Sequence, residues 1–289
     1  MNKILLKTTI PRKANDWCAH RFLLLKATLT SAGYQVESRD RVTDGSGDDV
    51  DLASLPDSDY DQLWIFGVEG GEGGLTRSDA ASVDRFRRNG KGCMLTRDHM
   101  DVGYSLVRIP QIGLANHFHS VNPEPDVSRR TRDDTFSMHL DWPNYHSGLN
   151  GAFQELESVP DGHPLFKRVD GVIRYFPTHP HEGAISVPAG AEHCASVVAK
   201  GRSGITGVDF NLIVAFEALA LGNGTGQVYG RAAIHSSFHH FVDYNWDAAT
   251  GCPDFVTDPE DDAMAGSVEA QKDIRSYSLN LARWLSNDS

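Results

Sequence analysis

Apolar positions in the first hundred residues fall into short continuous runs separated by amphipathic stretches. Lys3 to Ile10 is β-branched and apolar, and DQLWIFGV (61–68) and GCMLTRDH (92–99) are further runs of strand length. Gln35 to Arg39 fits another short strand. Between these runs the period changes to that of a helix. Asp16 stands as a cap before Phe22, Leu25 and Leu29, with a stop at Gly33; Thr76 caps a second stretch with Val83 and Phe86 inward and Gly90 at its end. Strands alternating with helices predict a doubly wound, mostly parallel α/β sheet.

From about 104 to 170 the alternation gives way to segments such as NHFHSVNPEPD and LDWPNYHSGLNG. A loop-rich insertion of that length in a compact domain is usually functional. Regular patterning returns with VIRYFP (172–177), HCASVVAK (193–200), FNLIVAFEA (210–218) and GRAAIHSS (230–237), each of strand type. VEAQKDIRSYSLNLARWL closes the chain as an amphipathic helix with Ile274, Tyr277, Leu281 and Trp284 on one side. The expectation is a single domain over residues 1–289.

Composition narrows the partners. Lys and Arg number 27 against 39 Asp and Glu, a net charge of −12, which argues against nucleic acid or an anionic membrane surface. No run approaches the roughly 20 apolar residues of a membrane helix. The N-terminal apolar run is too short for a secretory signal. Four cysteines lie far apart with no CxxC pair, so reduced thiols and a cytoplasmic location are expected.

Thirteen histidines, all but His20 gathered between 99 and 240, direct attention to candidate chemistry. In open α/β sheets ligands bind beyond the carboxyl ends of the strands. Three polar clusters are predicted there: Glu69 to Gly74, Arg97 to Asp101, and His235 to Asp243. At the second, Asp98 and His99 would sit beside the N–H groups of a following helix, a setting for an anionic or oxyanion-bearing substrate. HFH places His117 and His119 on one face if extended, and HPHEG does the same for His179 and His181 beside Glu182. Imidazoles with a carboxylate suit zinc or a similar divalent ion, although His179 and Glu182 serve equally as a metal-free base and acid. In SSFHHFVDYNWD, a helix would bring His239 and Asp243 together at i and i+4, the carboxylate orienting the imidazole. Glu69, Arg97, Trp142, His146, Ser237 and His240 are further candidates for substrate contact, Trp142 and His146 by stacking on a sugar or other ring.

Four motifs carry a family resemblance. DQLWIFGV with its glycine-rich turn, GKGCMLTRDH entering a corner, HPLFKRV at 163–169, and GRAAIHSSFHH before a Trp-containing helix together resemble the class I glutamine amidotransferase-like superfamily. Within it the chain looks most like the trehalose-utilisation (ThuA-like) branch, which has a histidine where amidotransferases have the nucleophilic cysteine. The resemblance implies a flavodoxin-like sheet. Cys93 precedes Arg97 by four residues, so glutamine hydrolysis by a Cys-His-Glu triad is not expected.

The expected function is therefore a hydrolase or lyase for a small polar substrate such as a carbohydrate derivative. His99 and His239 would transfer protons, and Asp98 and Asp243 would orient them. No cofactor is required by this scheme, a divalent metal being the one option. A metal-dependent hydrolase and a non-catalytic binding or assembly protein are the competing expectations, and a homo-oligomer is compatible with each.

Overall fold

The computed structural model describes residues 2–71, 73–130, 132–133, 140, 144–157, 162–220 and 228–286. Seven strands make the central sheet: β1 (Lys3–Thr8), β2 (Gln35–Arg39), β3 (Gln62–Phe66), β4 (Gly92–Thr96), β5 (Ala195–Arg202), β6 (Asp209–Phe216) and β7 (Ala232–His235). Their order is β5-β6-β7-β4-β3-β1-β2. The run β7-β4-β3-β1-β2 is parallel, whereas β6 pairs antiparallel with both β5 and β7.

Alternation along the strands sends successive side chains to opposite faces. Ile4, Leu6, Trp64, Phe66 and Met94 form one core with helices α1 (Leu23–Ser31) and α3 (Val268–Leu285). Leu5, Leu63, Ile65, Cys93 and Leu95 form the other with α2 (Arg77–Arg88). Helix α2 begins at a capping box in which Thr76 and Asp79 satisfy each other's backbone N–H, as its sequence predicts. Among the described residues no helix is long and apolar enough to cross a membrane. All four cysteines are free thiols.

The insertion contains short 3-10 turns and two-stranded ribbons in its described parts. Asn116–His117 pairs with Ala184–Ile185, and Phe153–Glu155 pairs with Tyr175–Pro177. VIRYFP thus forms a strand over Tyr175–Pro177, in this ribbon rather than in the main sheet. Asp273 of α3 ties it to the helix, its Oδ2 accepting the backbone N–H of Arg174 and Tyr175 at 2.8 and 2.9 Å.

His235 ends β7 fully buried and shares a 3.0 Å hydrogen bond with Tyr277 of α3. Burial, reinforced by nearby His240, lowers its pKa well below that of a free histidine. The unfolded chain takes a proton at about pH 6.5 and the folded chain does not, so stability is complete above that pH and falls below it. Thermal melts at pH 7.5 and 5.5 are expected to show a shallower acid loss for His235→Phe than for wild type, by up to about 1.4 kcal/mol per pH unit. Equal slopes would contradict a neutral His235.

Candidate functional site

The corner after β4 holds the first part of the site. Arg97 turns inward and is fully buried, its guanidinium donating to the carbonyls of Asp98, Met100 and Ala184 and lying 4.2 Å over the Phe118 ring. It braces the corner, which corrects the expectation of a substrate contact. Burial pulls its pKa down to about 9. The bracing requires Gly183, where a Cβ would press on Arg97 Nε and sit 2.5 Å from the Asp98 carbonyl oxygen. No α-helix follows the corner: Met100 takes a left-handed φ of 47°, and only a 3-10 turn, Tyr104–Arg108, comes next. The expected helix N-terminus beside Asp98 is therefore absent.

Two distant segments converge on Asp98 and its neighbour His99. His179 Nδ1 lies 3.2 Å from Asp98 Oδ1, His99 Nδ1 lies 3.2 Å from Oδ2, and His239 Nε2 lies 3.8 Å from Oδ2. Asp98, His179 and His239 are buried, and each offers a donor atom within 4.8 Å of the others. The His179 and His239 rings stack at 3.6 Å. Asp98 Oδ1 is buried and receives no well-aligned hydrogen bond, His179 Nδ1 at 3.2 Å being the imidazole that faces it. Burial favours protonation of Asp98, but the facing His179 and His99 imidazoles outweigh it and hold the carboxyl well below its usual range. Burial pushes His179 down to about 4 and His239 well below its ordinary value. One carboxylate thus faces two neutral imidazoles, the donor set of a divalent metal site with open positions.

Asp243 does not orient His239. Val242 is extended (φ −75°, ψ 140°), which separates the 3-10 turn Phe238–His240 from the short helix Asp243–Trp246 and breaks the expected i, i+4 pairing. The Asp243 carboxyl instead accepts from the N–H groups of Leu23 and Leu24 at 3.0 and 2.8 Å, capping α1; burial pushes its pKa up to about 6. His239 Nδ1 bonds Asn245 Oδ1 at 2.8 Å.

Next to the cluster, His181 Nε2 contacts Asp258 at 3.3 Å, and this bond holds the Asp258 carboxyl low. The His181 ring is 5.0 Å from His99 and 5.2 Å from His179, so it forms a wall of the site. Ser237 Oγ caps the 238–240 turn and lies 3.4 Å from His179 Nδ1. A cavity of about 360 Å³ reaches Asp98 and His99, walled by Trp17, Val68 and Phe238 with Phe255 among its lining residues. Glu69 lines it too, pinned by Thr9 and by the N–H of Ser105 at 2.9 Å; burial raises its pKa.

Other candidates lie elsewhere. Glu182, expected as a metal ligand beside His179, is spent on His240, at 3.1 Å from both carboxyl oxygens, and on the hydroxyls of Ser147 and Ser236. His240 is fully buried in that contact, which removes it from substrate. His117 spends both nitrogens on Asn122 and Ser186, and His119 is exposed, so HFH does not supply a shared metal face. His146 is buried, its backbone engaged with Asp133 and Gly204, outside the cavity lining. Trp142 lies outside the described residues.

Asn245 and Asp258 escaped the sequence reading. For Asn245 a signal existed, because an amide between Tyr244 and Trp246, in a segment that must be buried, needs a polar partner. For Asp258 there was none in an acidic stretch.

No protein-family model matches this chain, and no curated protein matches it. Among solved structures, it is similar to the mmIFT52 N-terminal domain at 11% identity and a TM-score of 0.47, over 83% of this chain and 88% of that one. A likeness at that level carries no functional argument.

Proposed function

We propose that this chain is a metal-dependent hydrolase or lyase for a small polar substrate, with Asp98, His179 and His239 as the metal ligands. The observation that carries the reading is their convergence within 4.8 Å around a buried carboxylate that receives no well-aligned hydrogen bond at Oδ1. An anionic carboxylate left so is costly in a protein interior unless a cation or a polar ligand meets it. Zinc or a similar ion held there would supply Lewis acidity and a bound water of lowered pKa. His99, one-fifth exposed and on the cavity wall, is placed to move a proton to or from substrate. Trp17 and Phe238 offer apolar faces above a polar floor, a combination that suits a carbohydrate derivative.

For the scaffold, the order β2-β1-β3-β4-β7 supports a flavodoxin-like, class I glutamine amidotransferase-like sheet of the ThuA-like branch. Its ligand region is where Asp98 stands.

The test is metal titration of protein stripped with chelator. Uptake of one equivalent of zinc or cobalt, with a cobalt spectrum of mixed nitrogen and oxygen ligation, is expected. Failure to bind saturably would overturn the metal reading and leave the Asp98–His99 pair, 3.2 Å apart, as a metal-free acid–base dyad.

A further inference from the structure

We infer that Asn245 is a positioning residue that fixes His239 in its Nδ1–H tautomer and so aims the bare Nε2 at Asp98. The consequence for metal affinity rests on the proposed function; the tautomer assignment does not.

Asn245 is fully buried, and its Nδ2 lies 2.7 Å from the backbone carbonyl oxygen of Thr178 and 3.0 Å from Asn150 Oδ1. A backbone carbonyl only accepts, so the amide nitrogen must face it, and flipping the amide would set two oxygens against each other. Asn245 Oδ1 is thereby directed to His239 Nδ1 at 2.8 Å. That oxygen also only accepts, so Nδ1 carries the proton. A neutral imidazole has one such proton, and Nε2 is left with its lone pair 3.8 Å from Asp98 Oδ2.

Two acceptors facing each other in a buried space call for a cation between them or a proton from a bound ligand. The same amide grips the carbonyl of Thr178, the residue before His179. One side chain therefore registers two ligand-bearing segments that are far apart in the chain. Hydrogen-bond partners of this kind tune ligand basicity and orientation in metal sites.

Long-range ¹H–¹⁵N spectra of the metal-free protein, with the His239 signals assigned by their loss in His239→Gln, read the tautomer directly. The expected result is Nδ1–H for wild type, a shift towards Nε2–H in Asn245→Leu, and retention of Nδ1–H in Asn245→Asp, which keeps an acceptor. Zinc competition against a chromophoric chelator is expected to give about 10–100-fold weaker binding for Asn245→Leu. An Nε2–H signal in wild type overturns the inference without need of any variant, and so does an unchanged tautomer in a folded Asn245→Leu. If the tautomer results hold while wild type takes up no zinc, the metal reading fails and the positioning role of Asn245 stands.

Discussion

Asp98→Ala is expected to abolish the stabilisation that zinc gives the wild-type protein. A ligand that binds only the folded state at 100 times its dissociation constant adds about 2.7 kcal/mol. For a chain of this size that corresponds to a rise of about 5 °C or more in melting temperature. Wild type should show that rise in scanning fluorimetry, and Asp98→Ala should show none. The metal-free form is expected to lose some stability as well, because the facing His179 and His99 hold the Asp98 carboxyl low and the ionised group therefore favours the folded state above the usual carboxylate range. The zinc response is the readout that separates the roles: an Asp98→Ala protein that keeps it would show the proposed centre to be misplaced. His239→Ala should behave alike, since its Nε2 is the second arm of the same cluster.

The sheet was legible because a strand buried on both faces is apolar nearly throughout, and LWIF, CMLT and LIVAF satisfy that with glycine or acidic boundaries. The site was legible residue by residue but not as a grouping. Asp98, His179 and His239 each stand out by position, yet local spacing pairs His179 with Glu182 and His239 with Asp243. The true grouping depends on the sheet. The register of β4 on β7, Thr96 opposite His235, sets Asp98 beside the 236–239 segment, and Gly183 N–H on the Ser236 carbonyl at 2.9 Å brings in the HPHEG segment. Such contacts between residues more than fifty apart leave no trace in spacing.

Glu182→Ala is expected to be the most destabilising single change among the candidate residues. Its carboxyl is fully buried and accepts from Ser236 Oγ at 2.7 Å and Ser147 Oγ at 2.9 Å, with His240 Nε2 at 3.1 Å. Alanine would leave the buried His240 imidazole and Ser236 hydroxyl without their carboxylate, and removing one member of such a buried pair costs about 3–5 kcal/mol. The loss should spread, because Ser147 belongs to the insertion and Ser236 to the end of β7, so Glu182 is the stitch between them. In urea the unfolding midpoint should drop sharply, with Glu182→Gln intermediate because an acceptor remains. Zinc affinity of whatever folded protein survives should change far less than in Asp98→Ala. A Glu182→Ala protein within about 1 kcal/mol of wild type would refute the stitch. The two buried carboxyls are thus distinguished by the quality of their hydrogen bonds rather than by burial: Glu182 accepts well-formed bonds from hydroxyls and an imidazole, and Asp98 Oδ1 receives none that is well aligned.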